Sequence, residues 1–387
     1  MIKRHEYMNS PSRVVAVEVE PAVPKGDNYM SDMIRATMVV RLQSGATVKK
    51  SVIIKRVPDS AMVSKVVQEN RAFYTEIDNY KDVFPAMERL MDEFGDRGDK
   101  LWCKCLDYTP YSQLVLEDLK EVGFRMADRK SGMDMDHAVL TVRSLAKFHA
   151  LGYVLIERGS FDADRFLPSY MGRNEPRIND MFAGGFKVLA QLMRNAWEPK
   201  WASVADKLEV IARNLGDRLH DVIIKDGVKF KVLNHGDCWV NNIMYKYDSY
   251  TRRPISIRFV DFQGSHYNTP ALDLIYMIYS SLRQDVKRDQ VTELLRCYCT
   301  SLARWVRSSG HTAEGLPGVE DMEAEMRRLT IVALAMVVSI KPLMKTEGES
   351  MEKKEGTFPQ RPEMYEDPEI EDILKEDIPQ LLANIKL

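Results

Sequence analysis

The sequence predicts an α+β protein in which a small β-rich region is followed by a larger helical region. Residues 14–20, 33–42 and 47–56 are rich in Val, Ile, Thr and Met, which is typical of strands. Farther along the chain, apolar residues recur at the spacing of one helical face. The predicted helices cover 137–158, 178–223, 269–307, 319–345 and 368–386.

A chain of 387 residues can bury large cores and most often folds as two domains or lobes. A series of strands followed by a series of helices is the order of elements in protein-kinase-like two-lobed folds. We place the boundary where the predicted strands end. Residues 1–118 then form a small β-rich N-terminal lobe, and residues 119–387 form a large helical C-terminal lobe.

Composition sets limits on the partners of this protein. The formal net charge is −2, which gives no reason to expect a nucleic acid or an anionic membrane surface. The polar N-terminus does not resemble a secretory signal, and the apolar run within 330–340 is too short to span a bilayer. The five cysteines lack zinc-site spacing, so we expect reduced thiols. We expect a cytoplasmic protein that acts on a small molecule, with no evident protein partner.

The most informative stretch of the chain lies between residues 232 and 263. Asp237 precedes Asn242 by five residues, and Asp261 follows an apolar run at 255–260. Two short strands, 243–247 and 255–260, are joined by a turn-rich segment, which predicts a hairpin. Because a hairpin leads out and back, Asn242 and Asp261 are expected to meet in space.

These three side chains match the needs of phosphoryl transfer. One carboxylate and one amide oxygen, from Asp261 and Asn242, are suitable ligands for Mg²⁺. Asp237 then remains available to accept the proton of an attacking hydroxyl. The sequence therefore predicts an ATP-dependent kinase, with a purely structural role for this stretch as the alternative.

A lysine at the end of a strand supplies a candidate phosphate contact. Lys55 ends the apolar segment 52–55, and a strand lysine that points into a cleft can hold the α- and β-phosphates of ATP. The alternative is an ordinary solvent-facing lysine. Glu69, in the predicted helix that follows, is our choice of ion-pair partner. Glu76 is the competing carboxylate and lies about two turns farther along, at ~3.6 residues per turn.

Two further segments are predicted to contact the nucleotide because of where they lie in the order of strands and helices. The loop at 26–31 lies where a phosphate-covering loop would, so Asn28 and Ser31 are candidate phosphate contacts, although a plain hairpin loop is the alternative. Glu117 and Leu119 lie at the junction of the two lobes. In kinase-like clefts the backbone N–H and C=O groups of this junction bind adenine.

Several polar residues near these motifs are predicted to have supporting roles. We expect His235 to stabilise its loop by hydrogen bonding, and Asp273 to cap or brace a loop. His149 lies on the apolar face of its helix and is expected to be a core histidine with satisfied hydrogen bonds. Asp136 is a plausible N-cap for that helix.

The motifs resemble those of a known family. Similarity to the ecdysteroid kinase-like family of insects, a branch of the choline kinase and aminoglycoside phosphotransferase group, extends over most of the chain. It implies a two-lobed kinase-like fold, with ATP and Mg²⁺, that phosphorylates a hydroxyl of a small molecule. The acceptors implied are ecdysteroids or, in a detoxification role, xenobiotics. The matching segments are 114–119, 145–150, 234–244 and 259–263.

The resemblance also assigns roles residue by residue. By position, Asp237 matches the catalytic aspartate of the family, and Asn242 and Asp261 match its metal ligands. Lys55 matches the nucleotide-binding lysine, and Glu69 matches the helix residue that pairs with it.

The metal motif departs from that of protein kinases. Asp261, Phe262 and Gln263 stand where protein kinases have Asp-Phe-Gly, and no Ala-Pro-Glu follows. This indicates a small-molecule kinase without a mobile activation segment. Two alternatives remain: a choline or aminoglycoside kinase, whose cationic acceptor needs an acidic or aromatic pocket, and a catalytically inactive relative that binds a ligand. The intact set of residues argues against the second.

Overall fold

The computed structural model of the protein describes most of the chain, in six stretches. The described residues are 13–23, 31–58, 71–166, 176–224, 228–344 and 361–386.

Five antiparallel strands form the N-terminal sheet of the described chain, in the order β1-β2-β3-β5-β4. The first three confirm the strands predicted from their Val, Ile and Thr content. The fourth and fifth pair through a short turn, and β5 lies against β3. The strands are β1 (Arg13–Pro21), β2 (Asp32–Arg41), β3 (Thr47–Arg56), β4 (Cys105–Thr109) and β5 (Gln113–Glu117).

A continuous helical run lies between β3 and β4. It begins as α1 (Ala72–Asp78), widens into a π-helical turn (Asn79–Val83) and continues as α2 (Phe84–Glu93). Its apolar side chains, among them Phe73 and Phe84, are almost fully buried. A π-helical turn is often found at a functional site, and this one faces the motif-bearing loops described below.

The longest buried helix of the C-terminal part is α3 (Met135–Glu157). It begins two residues before the predicted start, and its N-cap is Asp134, whose side chain accepts a hydrogen bond from the His137 N–H at 3.0 Å. The prediction of Asp136 as N-cap was therefore wrong. Among the described residues this is the one helix long and apolar enough to cross a membrane, but 72% of its apolar window is buried inside the protein. Such burial is typical of a core helix.

The remaining helices of the described chain complete the apolar core, and α8 packs along α3. They confirm the helical segments predicted after residue 178, although each long segment is divided into shorter helices. They are α4 (Pro176–Ala196), α5 (Ala202–Ala212), α6 (Leu215–Ile224), α7 (Ala271–Ser281), α8 (Gln284–Ser308), α9 (Val319–Arg328), α10 (Thr330–Ala335) and α11 (Pro368–Leu382), with a π-helical turn at Met336–Ile340.

Two small sheets carry the motif-bearing stretch. The first has the order β6-β8-β9, and in the second β7 pairs antiparallel with β10. A sheet-rich N-terminal part and a helical C-terminal part agree with the predicted α+β, kinase-like fold, whereas the lobe boundary at residue 118 stays a prediction. The strands are β6 (Arg125–Met126), β7 (Val232–Asn234), β8 (Ile243–Tyr247), β9 (Pro254–Phe259) and β10 (His266–Asn268).

Ion pairs hold the C-terminal helix α11 against α8. Lys287 and Asp377 form a nearly buried pair, and the Arg288 guanidinium donates to both carboxylate oxygens of Glu376 at 2.8 and 2.7 Å. The hydrogen bonds from Arg288 lower the pKa of Glu376 to about 2. A carboxylate with a lowered folded-state pKa stabilises the fold above its unfolded pKa, and this stabilisation is lost as the pH falls toward the folded value.

We therefore expect Glu376→Gln to lower the melting temperature slightly near neutral pH, because the pair is partly exposed. The difference from the wild type should shrink as the pH falls from about 5 toward 3, below the ordinary Glu pKa of about 4.3. Melting curves at several pH values measure this. Arg288→Gln is the matched control and should show the same loss. A difference that stays constant with pH would contradict the prediction.

Candidate active site

The predicted hairpin brings the two ends of the motif block together. Ile243 in β8 is paired with Phe259 in β9, and the Val260 N–H donates to the Asn242 carbonyl oxygen at 2.9 Å. Asp261 follows directly, with a backbone φ of 65°, in the left-handed region. The predicted pairing of strands is therefore confirmed, and it places Asn242 and Asp261 at the same end of the hairpin.

Asn242 also binds Asp237 directly. Its amide nitrogen donates to Oδ2 of the Asp237 carboxylate at 2.7 Å and to the Asp237 carbonyl oxygen at 3.0 Å. Because the nitrogen is used in this way, the amide oxygen is the atom of Asn242 that could bind a cation. The half-buried Asp237 side chain is thus held beside the candidate metal ligands.

Asp237 lies in surroundings that disfavour its charge. Removal from water raises the pKa of Asp237 to about 7, and the Asp261 carboxylate adds to this rise. Hydrogen bonds from Tyr276 and Asn242, together with the charge of Lys55, oppose it. A carboxyl group whose pKa lies near neutral pH is suited to accept and release a proton.

The buried ammonium of Lys55 joins the N-terminal sheet to the motif block. Lys55 is 2% exposed, and its Nζ lies 2.7 Å from Oδ1 of Asp261 and 2.6 Å from Oε2 of Glu76. Burial alone would lower the pKa of Lys55, but the two carboxylates outweigh burial and raise it. For the carboxyl group of Glu76, burial acts in the other direction and raises the pKa to about 7, although the charge of Lys55 opposes this rise. We take Lys55 to be charged, because two carboxylates contact it.

Glu76, which the sequence analysis named as the competing carboxylate, contacts Lys55. Glu69 lies outside the described residues, whereas Glu76 forms the ion pair that was expected of a carboxylate on this helix. Glu76 is fully buried in α1 and so faces the sheet. Sequence reasoning could not choose Glu76, because its contact with Lys55 depends on the face that α1 turns toward β3.

The helical run also holds the residue after Asp261. The Asn79 amide donates to the Phe262 carbonyl oxygen at 3.4 Å, and the Phe262 N–H lies near enough to the Glu76 carboxylate to oppose the rise of its pKa. The Phe262 ring is fully buried against Tyr80, Phe84, Phe148 and His235. Both the backbone and the side chain of Phe262 are therefore fixed, and so is the position of Asp261.

Asp273, near the start of α7, braces the loop that carries Asp237, as predicted. Its two carboxylate oxygens accept hydrogen bonds from the N–H groups of His235 at 2.7 Å and Gly236 at 2.8 Å. Burial alone would raise the pKa of Asp273, but His149 and these donors outweigh burial and lower it.

The buried His149 and His235 have the supporting roles that were predicted. His149 donates from Nε2 to the Asp273 carboxylate at 3.1 Å, and its Nδ1 lies 2.8 Å from the Tyr298 hydroxyl. His235 donates from Nε2 to the Val260 carbonyl oxygen at 3.0 Å, while its Nδ1 accepts from the Asp237 N–H at 3.2 Å. Burial lowers the pKa of His235, which agrees with a neutral ring.

The candidate metal ligands suit Mg²⁺ by their chemistry. Among the described residues, no group of three or more His, Cys, Asp or Glu side chains could hold a metal ion. Mg²⁺ typically binds one or two carboxylates together with waters and substrate phosphates. Asn242 and Asp261 fit such an ion, shared with a nucleotide, and Lys55 adds a positive charge beside them.

The predicted nucleotide contacts receive less support from the geometry. Asn28 lies outside the described residues, and Ser31 is buried immediately before β2. The Glu117 N–H donates to the Lys104 carbonyl oxygen at 2.9 Å, so an adenine contact at Glu117 would have to use its carbonyl oxygen. Leu119 is buried and begins a short 3₁₀ turn. The nucleotide roles of these four residues stay predictions.

Two residues of the site were missed by sequence reasoning. Asn79 contacts Phe262, as described above, and the Tyr276 hydroxyl lies near enough to the Asp237 carboxylate to oppose the rise of its pKa. Tyr276 follows Asp273 by three positions on α7, and residues at this spacing share a helical face. Once Asp273 was expected to brace the loop, this spacing could have indicated Tyr276.

Comparison with known proteins agrees with a kinase-like centre. No curated protein matches the chain. The model of the ecdysteroid kinase-like family matches residues 25–311, and the chain belongs to this family. The family is kinase-like, which supports a phosphotransferase, and such proteins typically use ATP and Mg²⁺.

Gly236 makes a backbone contact that no other residue type could keep. Its φ is 87°, and a Cβ atom at this position would lie 1.8 Å from the Gly264 carbonyl oxygen. We expect Gly236→Ala to destabilise the fold strongly. The added Cβ would force the main chain of Gly264 to move, and the positive φ would strain an alanine as well. Gly45→Ala is the matched control, with a φ of 82° and nothing within 4 Å. It should lower the free energy of unfolding by only about 1–2 kcal/mol. Urea denaturation measures the free energy of unfolding of both variants. Equal losses in the two would contradict the close contact between Gly236 and Gly264.

Removing the Asp273 carboxylate should destabilise the protein and disorganise the Asp237 loop. Asp273→Ala leaves the buried N–H groups of His235 and Gly236 without their acceptor, at about 1–3 kcal/mol each. We expect the free energy of unfolding to fall by roughly 3 kcal/mol in urea denaturation. Asp289→Ala, at an exposed position of α8, should stay within about 0.5 kcal/mol of the wild type. Similar values for the two variants would contradict the bracing role.

Proposed function

We propose that the protein is an ATP-dependent kinase that transfers a phosphoryl group to a hydroxyl of a small molecule. One observation carries the proposal. The half-buried carboxylate of Asp237 is held by Asn242, at the end of the hairpin where Asp261 meets the buried ammonium of Lys55. A proton acceptor, two oxygen ligands for a cation and a fixed positive charge thus lie together.

Each of these residues has a separate role in the proposed reaction. Asp237 accepts the proton as the O–H bond of the acceptor breaks, and the freed oxygen forms the new bond to the γ-phosphorus while the bond to ADP breaks. Lys55 holds the α- and β-phosphates, oriented by Glu76 and Asp261. Asn242 and Asp261 hold Mg²⁺, which neutralises phosphate charge when it is bound. Glu117 and Leu119 are the proposed adenine contacts, and Asn28 and Ser31 the proposed phosphate contacts.

The acceptor is proposed as a class. An ecdysteroid is the first candidate because of the family to which the chain belongs, and a hydroxylated xenobiotic is the second. A choline- or aminoglycoside-type kinase is the alternative, and it would require a cationic acceptor. The cytoplasmic location and the absence of other kinds of partner stay predictions.

Transfer from labelled ATP tests the function directly. The purified protein is incubated with Mg²⁺, γ-labelled ATP and one of three acceptor sets: ecdysteroids, hydroxylated xenobiotics, or choline and aminoglycosides. Mass spectrometry then looks for a molecule that has gained one phosphate. A phosphorylated steroid or xenobiotic supports the proposal, and a phosphorylated cation favours the alternative. Extracts fractionated by polarity are offered as a further source of acceptors. If the protein binds the nucleotide but transfers phosphate to none of these molecules, an inactive relative is favoured.

Two substitutions should separate proton transfer from metal binding. We expect Asp237→Ala to keep ATP binding and to lose transfer, since general-base catalysis contributes about 10²–10⁴-fold. Asp261→Ala should lose Mg²⁺-dependent ATP binding. Thermal shift with and without Mg²⁺ measures binding, and the labelled-ATP assay measures transfer. Wild-type turnover in either variant would overturn the role given to that residue.

A further inference from the structure

The junction between the N-terminal sheet and the helical part of the chain contains a buried carboxylate. Asp118 follows β5 directly and is 4% exposed. The Arg35 guanidinium donates from Nε to Oδ2 of Asp118 at 2.6 Å, and the Ser51 hydroxyl donates to the same oxygen at 2.7 Å. The other carboxylate oxygen accepts from the Lys120 N–H at 3.1 Å. Both oxygens of Asp118 therefore accept hydrogen bonds.

The three donors come from three different elements. Arg35 lies in β2 and Ser51 in β3, whereas Lys120 lies in the short 3₁₀ turn Leu119–Val122 that follows the junction. Burial alone would raise the pKa of Asp118, but the hydrogen bonds from Arg35 and Ser51 outweigh burial and lower it. The Asp118 side chain is thus a charged group that ties the junction to two strands of the sheet.

Stability alone does not account for this ion pair. The Arg35 side chain is 15% exposed, so most of the pair is shielded from water. Removing two charges from water is costly, and apolar residues in place of a buried pair often leave stability unchanged or improve it. An ion pair with several hydrogen bonds does, however, hold the groups that it joins in one fixed arrangement.

The backbone of Asp118 lies between the two proposed adenine contacts. Glu117 and Leu119 are its neighbours in the chain, and the peptide units that join them are planar. The φ and ψ of Asp118, −79° and 101°, therefore set the direction of the Glu117 carbonyl relative to the Leu119 N–H. A carboxylate held by the sheet on one side and by the following turn on the other restricts these two torsions.

We propose that Asp118 is a positioning residue that fixes the junction backbone for recognition of the adenine base. This inference rests on the proposed function, since it gives Asp118 a role in binding the nucleotide of that reaction. Arg35 and Ser51 act through Asp118, because they hold its carboxylate. A backbone that is fixed in the binding geometry before the nucleotide arrives saves the cost of ordering it on binding.

The test compares a nucleotide with a ligand that has phosphates but no base. Isothermal titration calorimetry with the full chain and Mg²⁺ measures the Kd for ATP and for inorganic tripolyphosphate. Asp118→Asn keeps the shape of the side chain and removes its charge, and Arg35→Gln removes the charged donor. Asp377→Asn is the matched control, because Asp377 is also buried and accepts hydrogen bonds from Gln284 and Lys287 of α8.

We expect Asp118→Asn and Arg35→Gln each to raise the Kd for ATP about tenfold, because a charge-assisted hydrogen bond that orders the junction is lost. The Kd for tripolyphosphate should stay within about twofold of the wild type, because the phosphates bind away from the junction. The double variant should bind ATP as Asp118→Asn does, since both substitutions break the same ion pair. Asp377→Asn should bind both ligands like the wild type, although it unfolds at a lower temperature.

Each other outcome overturns the inference. If Asp118→Asn binds ATP like the wild type, or loses affinity for ATP and tripolyphosphate equally, Asp118 does not position the base, and the proposed function is unaffected. Additive losses in the double variant, or an equal loss in Asp377→Asn, would refute the role as well. Where tripolyphosphate binds too weakly to measure, the double variant and the control decide. A wild type that binds no ATP in the presence of Mg²⁺ refutes the proposed function together with the role of Asp118.

Discussion

The buried carboxylate of Asp273 is the interaction on which the geometry of the candidate site depends. It accepts hydrogen bonds from two consecutive backbone N–H groups, those of His235 and Gly236, and a third from His149. Both N–H groups are thus fixed on one carboxylate, and the positive φ of Gly236 turns the chain immediately after them. The direction in which Asp237 leaves the loop is therefore set by a residue on another element.

The N-terminal sheet reaches the same centre by a second route. Lys55 comes from β3 and Glu76 from α1, and both meet the segment that begins at Asp261. The Phe262 carbonyl oxygen accepts from the Asn79 amide of this helical run, and the Phe262 ring is enclosed by aromatic side chains. The arrangement agrees with the absence of a protein-kinase activation motif after Asp261. The charged centre is therefore assembled from both the N-terminal sheet and the motif-bearing stretch.

Local patterns were sufficient to predict a large part of this structure. The hairpin from Ile243 to Phe259 depends on neighbouring residues and turn chemistry, so its strands and the meeting of its ends could be read from the sequence. The brace formed by Asp273 was also expected. The ion pair of Glu76 was not, because it depends on which face of α1 turns toward β3. Tyr276 was missed because its contact with Asp237 exists only once α7 packs beside the loop. The N-cap at Asp134 shows that even a local boundary can be displaced by two residues.

The close approach of Gly236 and Gly264 has a consequence for how this protein can diverge. The loop that carries Asp237 and the turn that follows Asp261 touch through their main chains, so a shift of one would move the other. Under the proposed function, we expect a change of acceptor among related chains to come from side chains outside these two loops. Homologues with unlike acceptors are expected to differ in the surrounding helices while sharing this pair of glycines.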